Sequence, residues 1–159
     1  MPKKNDHDPL SKAHNKALRL LGIRNRSRKE VKDRLQAYGY SDEITHQVIV
    51  RLEDTGLVDD RKFAFERARS MGKGKGWGPR KLRWDLARYG VSSELTDLAV
   101  EQAYGRQPRT KIMCRLVRKR YGEEVLGVET DRKTRAKALR FLLGRGFEPD
   151  EVHGIFKSI

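Results

Sequence analysis

The sequence has little of what staples, spans or metallates a protein. It holds one cysteine, Cys114, so neither an internal disulfide nor a thiolate metal site is available, and a reducing compartment, the cytoplasm, is expected. Read as packing, Cys114 is a small hydrophobe beside Met113 on a helix. No apolar run approaches the roughly 18 residues that would cross a bilayer. No amphipathic stretch sets bulky aromatics against a pure Lys and Arg face, and no secretory apolar region follows Met1, so membrane attachment is not expected. Strand-like alternation is nearly absent, and aromatics make up only 8%. The four histidines, His7, His14, His46 and His153, are scattered, and none has zinc-ligand spacing with Cys114 or another histidine. No metal site, cofactor or enzymatic activity is expected.

Acid is also scarce. Against 36 Lys and Arg stand 22 Asp and Glu, a formal net charge of +14, and a field of that sign attracts nucleic acid or a protein that carries it. Apolar and charged residues each make up 36%, which is rich in charge for a compact globule and points to an elongated helical assembly.

Residues 1–9, MPKKNDHDP, offer little apolar surface and read as a disordered basic arm. From Leu10 the spacing turns helical, through Ala13, Ala17, Leu20 and Leu21. Sliding the chain past itself by 51 residues lays 27–49 over 78–100. Leu35 then meets Leu86, Tyr38 meets Tyr89, Gly39 meets Gly90, Ser41 meets Ser92, Glu43 meets Glu94 and Thr45 meets Thr96. Each copy reads as helix, glycine stop, helix. The glycine takes a left-handed cap, the serine caps the next helix, and the glutamate complements its dipole.

A third copy over 134–156 puts Leu142, Gly146 and Phe147 in the places of Leu35, Gly39 and Tyr40. Its second helix reads as starting one residue late, with Val152, Ile155, Phe156 and Ile159 as the stripe. A further helix precedes each pair, near 10–24, 60–72 and 109–121. The expected fold is all-α: three tandem three-helix repeats, about nine helices, in an elongated, curved, right-angled array divided at 10–57, 58–105 and 106–159. Local signals agree with this. Ser27 and Glu30 have capping-box spacing, and Gly56 stops a helix. Asp59 and Asp60 suit the start of the helix carrying Phe63, while Gly78 and Pro79 fit N-cap and N1.

The run GKGKGWG, Gly72 to Gly78, lacks the GKS or GKT ending of a P-loop and fails GxGxxG. Two compatible readings remain: a flexible joint, and a loop in which Lys73 and Lys75 touch phosphate or an acidic partner. Over 106–145 there are 13 basic residues against 4 acidic ones, a local net of +9. Arg115, Arg118, Lys119 and Arg120 form one cluster there, and Arg132, Lys133, Arg135, Lys137 and Arg140 another. Arg80, Lys81 and Arg83, beside Trp77 and Trp84, form a third, because indoles stack on bases or guanidinium groups. Trp84 itself is expected to pack beside Leu82 and Leu86. One-sided charge of this extent is expected to be a binding surface rather than only a solvated face.

Over these residues the chain resembles the RecX family of bacterial recombination regulators. The resemblance rests on AHNKALRLLGIRNRSRKEVKDRLQAYGYS at 13–41, LEDTGLVDDRKFAFERARS at 52–70, GPRKLRWDLARYGVS at 78–92 and ALRFLLGRGFEPDEV at 138–152. The second block is the most specific, since a glycine stop, an apolar residue, two aspartates and Phe-Ala is an uncommon run. Residues 121–130, YGEEVLGVET, depart from the pattern as a local elaboration. The resemblance implies a non-catalytic cytoplasmic protein that binds the RecA filament on single-stranded DNA. Such a protein lodges in the filament groove, opposes extension, and lowers ATPase, strand-exchange and co-protease activity. It thereby modulates recombinational repair and the SOS response. A monomer is expected, with double-stranded DNA as a further ligand. From charge alone the competing expectation is a sequence-independent DNA-binding protein that competes with RecA for DNA.

Overall fold

The computed structural model describes residues 8–157, and every regular element among them is helical. Nine α-helices fall into three groups of three. The first holds α1 (Pro9–Ile23), α2 (Arg28–Ala37) and α3 (Asp42–Asp54); the second α4 (Asp60–Arg69), α5 (Pro79–Arg88) and α6 (Ser93–Gln102); the third α7 (Arg109–Tyr121), α8 (Arg132–Gly144) and α9 (Pro149–Lys157). Helix α4 runs into a π-helical turn at Ser70–Gly74, and a 3-10 turn at Glu123–Leu126 follows α7. Helix α1 begins inside the arm proposed from the sequence, because Pro9 suits the first helical position and Asp8 accepts from the Leu10 N–H at 3.4 Å. The rest of that arm, and Ile159, lie outside the described residues.

The 51-residue period holds in three dimensions. Ala13 and Ala17 of α1, like Ala64 and Ala68 of α4, are fully buried, and their small side chains let α1 settle on α3 and α4 on α6. The facing stripes also match: Thr45, Val48, Ile49 and Leu52 in α3, and Thr96, Ala99, Val100 and Ala103 in α6. Val152, Ile155 and Phe156 of α9 occupy the same register. The third unit's last helix therefore starts in step rather than one residue late. The stripe of α3 begins at the buried Thr45, with its neighbour Ile44 only partly buried.

Each corner closes alike. Gly39, Gly90 and Gly146 have φ of 91°, 73° and 90°. The next residue's N–H reaches back to the helix: Tyr40 to the Leu35 carbonyl at 3.2 Å, Val91 to Leu86 at 3.1 Å, Phe147 to Leu142 at 3.3 Å. Gly56 ends α3 with φ 73°, and Leu57 donates to Leu52 at 2.8 Å. Ser27 caps α2 by accepting from the Glu30 N–H at 3.2 Å. The Glu30 carboxylate does not complete a capping box but is taken by Arg24 and Arg26. Asp59 caps α4, accepting from Lys62 at 3.1 Å. Asp60 instead reaches across to the first unit and accepts from the Arg28 N–H at 2.8 Å, one of the unpaired amides of α2. Burial there raises the Asp60 carboxyl above its ordinary range, against the lowering effect of the Arg28 hydrogen bond.

The two junctions differ in kind. The first unit has its own core, built on Leu35, Leu52, Ile49 and Val48. Polar groups join it to the second: the Arg28 amide on Asp60, Asn25 on Glu66, and the Lys29 stem against Gly90. The second and third units share one continuous apolar core that includes Leu82, Leu86, Ile112, Leu142 and Phe147. No helix among the described residues is long and apolar enough to cross a membrane.

Candidate functional site

The turn from α4 to α5 is the foundation of the site. A Cβ at Gly72 would stand 3.2 Å from the Tyr104 ring and 3.3 Å from Leu82. At Gly76 it would meet Leu116 at 2.8 Å, and at Gly78 the Phe147 amide nitrogen at 2.2 Å. These glycines answer a lack of room, so GKGKGWG is a packed turn and not a flexible joint. The Tyr104 hydroxyl donates to the Trp77 carbonyl at 2.7 Å, and burial pushes the Tyr104 phenol pKa well up. Lys73 and Lys75 are exposed on this fixed backbone.

The third unit closes over the turn. The Gly78 N–H donates to the Arg145 carbonyl at 2.7 Å and the Arg80 N–H to the Gly146 carbonyl at 2.9 Å. The N-terminus of α5 is thus satisfied by the neighbouring corner, as Asp60 satisfies α2. The Arg145 guanidinium donates to the Lys75 carbonyl at 2.7 Å and lies 5.1 Å from the Phe141 ring centre. Arg120 covers the same ring at 4.9 Å and Tyr121 at 5.7 Å. Tyr121 meets Phe141 edge-on at 6.0 Å. Lys81 packs on Gly146 and holds its ammonium 4.4 Å from the Trp77 ring. Lys137 continues the α8 stripe at four-residue spacing, 137, 141, 145. Lys75, Lys81, Arg120 and Arg145 thus gather at one junction, with Lys137 exposed on α8 beyond it. Stacking on rings holds planar guanidinium groups in place while leaving donors outward, an arrangement suited to phosphates, bases or acidic protein surfaces.

The remaining candidates lie elsewhere. Arg83 is engaged by Asp97 at 3.1 Å and Glu148 at 3.7 Å, so it stitches the two units together. Arg80 contributes its amide, with its side chain exposed. Arg115, Arg118 and Lys119 surround a 620 Å³ depression with Cys114 and Glu123. Arg118 pairs there with Glu123 at 3.6 Å. The run 118–120 is therefore split, because successive helical residues diverge by about 100°. Arg132 and Lys133 are exposed on the first turn of α8, where the helix dipole disfavours cations. Asp131 caps that turn, and hydrogen bonds from Thr134 hold its carboxyl below the usual range. Arg135 is folded onto the Gly127 carbonyl at 3.3 Å, and Arg140 is exposed one residue off the stripe. Phe63 is core, 5.2 Å from the Tyr89 ring. Trp84 does not pack beside Leu82 and Leu86. Those two turn inward, and Trp84 is 59% exposed.

Arg145, Phe141 and Tyr121 were not singled out from the sequence. A signal for the first was present, since Arg145 stands just before its corner glycine where Tyr38 and Tyr89 stand before theirs. Among the described residues no group of three or more His, Cys, Asp or Glu is placed to hold a metal. Burial raises the Cys114 thiol pKa, outweighing the lowering effect of Arg118. At pH 8 its alkylation by iodoacetamide, followed by mass spectrometry, is expected to be slower than that of glutathione. A faster rate would contradict the burial argument.

Comparison with known proteins matches the three units in turn. The RecX first three-helix domain matches residues 13–52, the second 59–100 and the third 111–156. Regulatory protein RecX of Mycolicibacterium vanbaalenii is 39% identical over 127 residues, 80% of this chain and 68% of that one. Regulatory protein RecX of Xanthomonas axonopodis pv. citri is 35% identical over 137 residues, 86% of this chain and 81% of that one. The crystal structure of RecX from Lactobacillus salivarius superposes with a TM-score of 0.79 at 25% identity, covering 94% of this chain and 95% of that one. With three family domains in order and relatives aligned over most of their length, the chain belongs to the RecX family of regulatory proteins.

Proposed function

We propose that the chain is a non-catalytic cytoplasmic regulator that restrains RecA by lying, as a monomer, in the groove of the RecA filament on single-stranded DNA. Three units, 10–57, 58–105 and 106–159, follow the groove, oppose filament extension, and lower ATPase, strand-exchange and co-protease activity. Recombinational repair and the SOS response are thereby damped. The observation that carries this reading is the junction of the second and third units, where Lys75, Lys81, Arg120 and Arg145 converge on a packed, glycine-shaped turn. A fixed cluster of cations recognises the acidic surface of a nucleoprotein at little ordering cost.

Lys75→Glu and Arg120→Glu together test this reading. Half-inhibition of RecA ATPase on preformed filaments is expected to need about tenfold more protein or beyond, the effect of roughly 1.4 kcal/mol, with the helical circular dichroism unchanged. Unchanged inhibition would remove the junction from the reading. No inhibition by the unaltered protein at any ratio would end it. The second reading, competition for DNA, is favoured by the +14 charge. It requires inhibition to vanish at salt where free DNA is released; inhibition that persists there excludes it.

A further inference from the structure

The exposed face of α5 carries a feature that the fold does not need. Trp84 is 59% exposed in a helix whose inner face is already filled by Leu82 and Leu86. The repeat shows what packing alone demands at this place. Shifted by 51 residues, Trp84 falls on Asp33, a surface carboxylate paired with Lys29 at 2.8 Å. An aspartate serves the same position of the same fold, so the indole answers some other requirement.

Its surroundings indicate which. Arg80, Trp84 and Arg88 stand at i, i+4 and i+8, one stripe with side chains about 5–6 Å apart. The Arg88 guanidinium lies 4.7 Å from the indole centre. Arg80 and Arg88 are both exposed. The one carboxylate of α5, Asp85, is buried and bound to Arg67. The carboxylates of neighbouring elements that meet this helix, Asp97 and Glu148, are engaged by Arg83. What remains outward is an indole with the Arg88 guanidinium over one face and Arg80 one turn away, so a base is taken on the face that Arg88 leaves. An unstacked nucleobase presents a π-face to such a plane and a phosphate on either side to the cations, whereas a duplex keeps its bases stacked on each other.

We propose that Trp84, with Arg80 and Arg88, is a base-stacking site for single-stranded nucleic acid. The site goes beyond the filament reading and does not depend on it, because it acts on the strand itself. The test uses the full chain and oligo(dT), with no RecA present. Tryptophan fluorescence is expected to be quenched by oligo(dT), and the quench to be lost in Trp84→Ala, which keeps Trp77 as an internal reference. Affinity for oligo(dT) is expected to fall about 5- to 150-fold in Trp84→Ala, the range for loss of one stacked base, and to be largely kept in Trp84→Phe. An abasic strand of equal length is expected to bind both proteins alike. Equal oligo(dT) affinity of the unaltered and Trp84→Ala proteins would overturn the proposal. If that variant instead loses only inhibition of RecA, Trp84 is an anchor for protein and the stacking site is equally refuted. Failure of RecA inhibition with the fluorescence quench intact would count against the filament reading alone.

Discussion

Gly78→Ala is expected to be among the most damaging single substitutions in this chain. The φ of Gly78 is −84°, which any residue adopts. The obstacle is space: a Cβ would lie 2.2 Å from the Phe147 nitrogen and 2.3 Å from the Gly146 carbonyl carbon. Both are backbone atoms of a corner fixed by its own hydrogen bonds, so neither yields by a rotamer change. Separation of the two segments breaks the Gly78 to Arg145 and Arg80 to Gly146 hydrogen bonds, about 1 kcal/mol each. Disturbance of the shared core beneath adds roughly 1–3 kcal/mol. The thermal midpoint is expected to fall by about 10 °C, at 2–4 °C per kcal/mol for a chain of this size. Gly39→Ala is the control. Nothing lies within 4 Å of a Cβ at Gly39, so only its positive φ resists, about 1–2 kcal/mol. Equal losses in the two variants would show that the junction is not the tight contact described.

Asp85→Ala is expected to cost about 3–5 kcal/mol, the penalty for stranding one member of a buried pair. Asp85 is 3% exposed and accepts from Arg67 through both carboxylate oxygens, one contact being 3.0 Å. The Asp85 hydrogen bond raises the Arg67 pKa against the lowering effect of burial. Arg67 in turn lies 4.3 Å from the Tyr89 ring centre, and Tyr89 meets Phe63 at a tilt. Removal of the carboxylate therefore leaves a charged group half-buried among α4, α5 and the second corner. Asp85→Ala combined with Arg67→Met is expected to be more stable than Asp85→Ala alone, because the unpaired charge is gone. Urea denaturation of the three proteins checks this, and the opposite order would show that the pair is not coupled.

Much of the architecture was legible in the chain because its causes are local. A glycine past the last apolar position, a serine two residues on and a glutamate after it specify the corners at Gly39 and Gly90 within seven residues, and at the third corner the glycine, Gly146, recurs as expected while Glu148 and Pro149 follow in place of the serine. Alanines at 13, 17, 64 and 68 mark the close helix packing by their smallness. Where the outcome differed, a competing partner decided: Glu30 left the capping box for Arg24 and Arg26. Asp60 stands in the first turn of α4 as expected, and its carboxylate also reaches across to the amide of Arg28.

The sequence by itself determined that this is a basic row of helical corners, because helix starts, stops and stripes are set by residues within a turn or two of one another. Only the tertiary structure decided where the charge is concentrated. Lys75, Lys81, Arg120 and Arg145 are spread over 70 positions of the chain, and they meet because the third corner docks on the first turn of α5. The same packing turned Trp84 outward, neutralised Arg83, and made Gly72, Gly76 and Gly78 a demand for space. Proximity across units depends on how whole faces fit together, and no window of neighbouring residues records that.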